Sequence, residues 1–287
     1  MPRSKRHHYL PVFYLRGFCN SEGRIWIYDK TKDKFFQTRP ENVFVVNDLN
    51  TLTYDGGEKK DFLEALYSYT DGIAAPLVDK VVRSTVRDVP LTDEEKYQLT
   101  VFVTALFLRV PAQEQFVMKT LARIGLNNPY FRMLDRRTGR IAPKEVLDTI
   151  AGDPEIEKVY RSMLTFVPQI ASKNRLSAGE FLFMYQDPGF VIVSDNPVVY
   201  HKAPMVEELL DEFILPISSN RILFRSDRIK REAKSPHFTI QLDAALLHQA
   251  DRYIGFYRLD YLQTIVGYYK MFRSQWAQSQ YLDALFQ

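Results

Sequence analysis

The sequence predicts an α+β fold: a small mixed or antiparallel sheet built from N-terminal and C-terminal strands, packed against a mainly helical middle and a C-terminal helix. Three observations carry this. Short aromatic and β-branched runs occupy the first 57 residues and return after residue 176, helical apolar spacing fills residues 58–175, and an aromatic-rich helical stretch closes the chain. Strands early, helices in the middle and strands late suit one sheet assembled from both ends of the chain, with the middle helices packed on it. At 287 residues, 46% hydrophobic and 25% charged, one hydrophobic core can still serve the whole chain. A single domain over residues 1–287 is therefore expected, with a β-rich segment at 1–57, a helical middle at 58–175, and a β region with C-terminal helices at 176–287.

Residues 24–29 and 34–38 read as two strands of a hairpin joined by Lys30-Thr31-Lys32-Asp33, and residues 43–46 as an edge strand. From Glu58 to Arg87, Phe62, Leu66, Tyr69, Ile73, Leu77 and Val81 recur at helical spacing, and Pro76 is expected to kink or divide that helix. Thr92 with Asp93, Glu94 and Glu95 marks the start of a long helix. Its centre, Val101 to Val110, is apolar on nearly every side and so reads as a helix buried through the protein. Pro111 should kink this helix before it resumes through Ala112 to Ile124 and ends at Gly125. Helices are expected at 143–152, 155–172, 241–254 and 259–285, and strand-like pieces at 180–186, 189–193, 198–201, 213–216 and 221–225.

Composition narrows the function classes. The formal charge, 38 − 35 = +3, does not by itself argue for a nucleic-acid coat. One cysteine, Cys19, rules out an internal disulfide and suits a reducing compartment, so a cytoplasmic location is expected. The basic start is not followed by an apolar stretch of signal-peptide type, and no run is long and apolar enough to span a bilayer, so no membrane partner is expected. The chain has no Walker A loop, Rossmann glycine pattern, Gly-x-Ser-x-Gly elbow or His-Glu-x-x-His.

The candidate chemistry lies in two segments. In His7-His8-Tyr9-Leu10-Pro11-Val12-Phe13-Tyr14-Leu15-Arg16-Gly17-Phe18, histidines, tyrosines and an arginine crowd an otherwise apolar stretch. Histidine titrates at about 6.5, so the pair suits acid and base roles; the alternative reading has one hydrogen-bonded to a core carbonyl and the other solvated. No metal site is expected, because adjacent histidines lack i, i+4 spacing and Cys19 is the lone cysteine. In the second segment a buried-looking strand, Val191 to Val193, runs into Ser194-Asp195-Asn196-Pro197. Asp195 there could orient a histidine, bind a cation, pair with Arg109 or merely close an Asx-turn. Arg109, in the buried helix, needs an acidic partner or an anionic ligand. The Arg225–Lys234 loop and the cations of the last helix could line a nucleic-acid groove, or form core and solvated faces.

The opening segment, followed by Ile27-Tyr28-Asp29, resembles a bacterial family known only as a domain of unknown function, found mostly in cytoplasmic proteins of about this length. The Phe-Leu-Arg-Val-Pro segment with Arg109 and Pro111, the Ser194-Asp195-Asn196-Pro197 segment and Leu215-Pro216-Ile217-Ser218 are similar too. That family's pattern has a glutamine before the arginine and a glutamate in the first long helix, where Leu106 to Leu108 and Asp71 stand here. The resemblance implies that His7, His8, Arg16, Arg109 and Asp195 belong together; it supplies no activity.

Two readings of function follow. In the first, the protein is a nuclease-like phosphodiesterase acting on nucleic acid, with His7, His8 and Asp195 catalytic and Tyr14, Arg16, Arg109 and Asn196 binding substrate. In the second, it is a non-catalytic binding or sensor protein for a phosphate-containing ligand, with a structural network of histidine, arginine and aspartate. The sequence assigns neither a cofactor nor an oligomeric state.

Overall fold

The N-terminal histidine segment and the hairpin after it are short, so what they can do depends on which later strands they meet. A computed structural model of the protein describes residues 5–84, 86, 89–171, 181–185, 188–225, 236–274, 282, 283, 285 and 286. In chain order these hold β1 (Arg6–His8), α1 (Val12–Leu15), β2 (Ile25–Asp29), β3 (Lys34–Thr38), β4 (Val45–Asn47), β5 (Leu52–Thr53) and β6 (Lys59–Lys60). The helical middle is α2 (Phe62–Arg83), α3 (Asp93–Arg109), α4 (Glu114–Ile124), α5 (Lys144–Ile150), α6 (Pro154–Leu164) and α7 (Val167–Ala171). Then come β7 (Leu182–Tyr185), β8 (Val193–Ser194), β9 (Phe213–Ser218), β10 (Arg221–Arg225), α8 (Pro236–Gln249), β11 (Tyr253–Phe256) and α9 (Leu259–Phe272).

The expected sheet from both ends of the chain is present: β3-β2-β11-β8, antiparallel throughout, with Gly255 of β11 opposite Ile27 on one side and Val193 on the other. Gly255 is closely packed there: a Cβ would stand 2.7 Å from the end of the Ile25 side chain, which would have to shift. The remaining late strands form a separate sheet, β7-β10-β9, and β1 pairs with β4 apart from both. The β region is thus several small antiparallel sheets rather than one. The β2–β3 turn is closed by the Asp29 side chain, which accepts from the Thr31 and Lys32 N–H groups.

Thr92 caps α3 in a capping box with Glu95, as its sequence predicts. Three expectations need correction and one is narrowed. Pro76, expected to kink or divide its helix, lies inside one continuous α2 and does not divide it. Pro111 ends α3 rather than kinking it, because the residue before a proline is driven out of helical conformation: Val110 is extended, at φ −72° and ψ 139°, and α4 begins anew at Glu114. The expected helix at 155–172 is two, α6 and α7. That at 241–254 stops at Gln249, where Lys30 Nζ donates to the terminal carbonyls of Leu247 and Ala250, and the chain turns into β11. Part of the expected 259–285 helix, and the Arg225–Lys234 loop beyond Arg225, lie outside the described residues.

Two apolar cores result. The larger gathers α1, α2, α3, α4 and α6 around Phe102, Leu106 and Leu108 with β9; the smaller packs α8 and α9 on the sheets. The smaller contains a buried carboxyl, Asp243, which accepts from the Ile192 N–H and the Tyr261 hydroxyl. Burial pushes it up to about 8, against the pull of these two donors. A folded pKa above the unfolded value of about 3.8 means that the native state holds the proton more tightly between those limits, so this group's contribution to stability falls as pH rises from about 4 to about 8. Urea unfolding at pH 5, 7 and 9 should show that fall, and Asp243→Asn should flatten it. A wild-type profile matched by the variant would assign the pH dependence elsewhere.

Candidate functional site

Arg109 is the last residue of α3, held inside by the extended Val110 that follows, and is 1% exposed. Its Nη1 donates to both carboxylate oxygens of Asp71, at 3.0 and 3.1 Å. Glu64, Tyr67 and Asp71 follow one another along α2 at three- and four-residue steps and therefore share a face. The Tyr67 ring lies beside the guanidinium, 5.8 Å from centroid to Cζ. This pairing satisfies one corner of the arginine. Nε and Nη2, the two groups of its other edge, are buried with no hydrogen-bond partner among the described residues, as are the Tyr67 hydroxyl and His8 Nδ1. Three unpartnered polar atoms on one adjacent arginine–tyrosine pair are uncommon in a folded interior, where nearly all such groups are satisfied.

The electrostatics are those of a buried cation paired with one partly exposed carboxylate. Burial, then the charge of Arg6, lower the His8 pKa below its usual 6.5; Arg109 lowers it further while Glu41 opposes. His8 is consequently a neutral imidazole near pH 7. Burial pushes the Tyr67 hydroxyl up to about 12, with Arg161 and Arg109 pulling the other way. Arg161 is itself paired with Glu157 at 2.7 Å, leaving the free arginine edge to Arg109. Glu64 and Asp71 retain 29% and 24% exposure, and His8 is half-buried, so these three side chains lie between the buried arginine and the surface.

The other sequence-derived candidates sit elsewhere. His7 points the opposite way from His8 on β1 and is fully buried, its Nδ1 accepting from the Asn50 N–H at 3.0 Å with Glu64 at 3.6 Å. Tyr14 is a core residue whose hydroxyl donates to the Pro216 carbonyl at 2.8 Å. Gly17 lies so close to β9 that a Cβ would stand 2.8 Å from that of Ser218, and its carbonyl accepts from the Ser219 N–H. These contacts seat the histidine segment on Leu215-Pro216-Ile217-Ser218. Arg16 is on the surface, 3.7 Å from Glu41.

Asp195 is 5% exposed and accepts three successive backbone N–H groups, from Asp251 at 3.0 Å, Arg252 at 2.7 Å and Tyr253 at 2.8 Å. Burial pushes its carboxyl up to about 6 against those donors. The arrangement fastens the end of β8 to the start of β11. Asp195 also acts on Tyr9 through its charge, which brings the two candidate segments into one neighbourhood. Asn196 faces a groove on a different side, where its Oδ1 accepts from Gln113 Nε2 at 3.0 Å. Of the sequence-derived candidates, His8 is the one whose titration feels the Arg109 charge, whereas Asp195, Asn196, Tyr14 and Arg16 have other partners.

Sequence reasoning missed Tyr67 and Glu64 because it misplaced the inner face in the N-terminal half of α2, although Leu77 and Val81 are buried as expected. Phe62 and Tyr69, assigned to the inner face, are 65% and 68% exposed, whereas Leu63 and Tyr67 are buried. The available signal was the Glu64, Tyr67, Asp71 row opposite a buried arginine. No group of three or more His, Cys, Asp or Glu side chains suited to a metal ion occurs among the described residues.

The fold and site define an α+β protein of small antiparallel sheets with a partly unpartnered arginine at the meeting of β1, α2 and α3. The chain belongs to the family described as a protein of unknown function, DUF4238, which matches residues 6–258. No curated protein and no solved structure gives a significant match. Among the described residues no helix is long and apolar enough to cross a membrane.

Proposed function

We propose that the protein binds a phosphodiester at the His8, Tyr67 and Arg109 centre. The observation that carries this is the free edge of Arg109: Nε and Nη2 lie side by side and present two parallel N–H groups, the geometry that grips a phosphate or carboxylate bidentately. Tyr67 and the Nδ1–H tautomer of His8 supply two further donors. The rim carboxylates Glu64 and Asp71 disfavour a dianion, so a phosphodiester, with one negative charge, suits the centre better than a phosphate monoester carrying −1.5 to −2 at pH 7.

Arg109→Lys separates this from a structural role, because lysine keeps a charge for Asp71 and lacks the second edge. Dimethyl phosphate at ten times its Kd should stabilise the wild type by about 1.4 kcal/mol, roughly 2–4 °C in melting temperature, and leave Arg109→Lys unmoved. Equal shifts in both proteins, or none in either, would remove the proposal.

The neutral imidazole of His8 favours one further reading: a nuclease-like phosphodiesterase in which His8 accepts a proton from the attacking water or hydroxyl while Arg109 neutralises the phosphorane. Its test is cleavage of mixed RNA and DNA, with and without divalent metal, by wild type and His8→Ala. Cleavage by the wild type that His8→Ala loses supports hydrolysis. Dimethyl phosphate binding without cleavage leaves a binding or sensor protein.

A further inference from the structure

We propose that the groove between α4 and the Asn196–Met205 segment is a mononucleotide site. It encloses about 490 Å³, and it opens on the opposite side of α3 from the Arg109 centre, since Phe107 lines it and lies about 200° around the helix from Arg109. The inference is therefore independent of the phosphodiester reading.

Three chemistries meet in this groove. One wall is aromatic: Phe107 packs edge-to-face between Phe116 and Tyr200, with centroids 5.2 and 5.1 Å away, and Phe116 and Tyr200 are partly exposed. The floor is made of carboxamides whose orientation is fixed by what they donate to. Gln113 Nε2 donates to Asn196 Oδ1, and Gln249 Nε2 donates to the carbonyls of Val198, at 3.2 Å, and Asn196. With both nitrogens turned to protein acceptors, the side-chain oxygens of Gln113 and Gln249 remain as acceptors, and neither takes a hydrogen bond from a described residue. At the rim, Lys119 and Lys202 are exposed without an acidic partner among the described residues, whereas their neighbours Arg123 and His201 are paired with Glu207 and Asp283.

A planar ring carrying N–H donors fits the wall and floor, and an anionic tail fits the two lysines. A nucleotide whose base bears an exocyclic amino group combines all three. Free phosphate would use the lysines alone, and an apolar ligand would leave lysines and carboxamide oxygens idle.

Calorimetric titration of the full chain with AMP, CMP and ribose 5-phosphate tests this. AMP or CMP should bind, and ribose 5-phosphate at least about tenfold more weakly, as loss of base stacking implies. The double variant Lys119→Glu/Lys202→Glu changes two exposed residues and should weaken AMP binding by roughly tenfold or more with melting temperature unchanged. Saturating dimethyl phosphate should leave AMP affinity as it was, because it addresses the other centre. No nucleotide binding at millimolar concentration, equal affinity for ribose 5-phosphate, indifference to the lysine reversal, or competition by dimethyl phosphate would each overturn the assignment. Failure of dimethyl phosphate to bind anywhere would overturn the phosphodiester reading while leaving this one standing.

Discussion

Asp71→Ala should destabilise the protein by about 3–5 kcal/mol, the cost of leaving a buried charge without its counter-charge. Arg109 is 1% exposed, and Asp71 is its anionic partner, binding through both oxygens. The effect should be asymmetric. Arg109→Met removes the charge itself, leaves an Asp71 that is 24% exposed and can be hydrated, and fills similar volume with apolar atoms. It should therefore cost far less than Asp71→Ala. An added anion should discriminate further: dimethyl phosphate ought to stabilise Asp71→Ala more than the wild type, since there it supplies the missing negative charge. Urea unfolding of the three proteins with and without dimethyl phosphate gives all the comparisons. Equal costs for Asp71→Ala and Arg109→Met would show that the pair contributes packing rather than charge balance.

Asp195→Ala should be comparably severe, at about 3 kcal/mol or more. The carboxylate receives three backbone N–H groups, and each buried donor left unmade costs about 1–3 kcal/mol, softened where water reaches it. The loss should be local as well as global. Amide exchange at Asp251, Arg252 and Tyr253 should accelerate, because these are the groups that Asp195 holds at the start of β11. A residue serving only chemistry would be removable at little cost in stability, so a stable Asp195→Ala protein with impaired ligand binding would place Asp195 in the site instead. The nearby Arg252–Asp29 pair, at 2.9 Å, does not replace these bonds, since it ties β2 to β11 through side chains.

The sequence revealed the elements whose local signals are strong. The hairpin of residues 24–38, the capped start of α3 at Thr92 and the buried centre around Leu106 are all present. The requirement that Arg109 find an anionic partner was also legible, because the physical penalty for an unpaired guanidinium does not depend on knowing the fold. What could not be read is set by long-range contacts. The rotation of α2 depends on Asp71 reaching an arginine 38 positions away, and that pull brings Tyr67 inside while Phe62 stays out. Likewise Asp195, at a strand end, looked free to act; only the pairing of β8 with β11 places three N–H groups around it. His7 and His8 were equivalent in sequence, and only the β1–β4 ladder turns His7 into the core and His8 to the opposite face. The Gln113, Asn196 and Gln249 floor spans three distant segments, and of its members only Asn196 stood out in the sequence.

The central claim, that the free edge of Arg109 is a ligand-binding edge, is tested most directly by the Nε–H resonance of that arginine in a proton–nitrogen correlation spectrum, assigned by its absence from Arg109→Lys. Titration with dimethyl phosphate should move this resonance along a saturable curve and bring the Tyr67 ring signals with it. A resonance that stays still while dimethyl phosphate rises to millimolar concentration would contradict the claim and return Arg109 to a purely structural role beside Asp71.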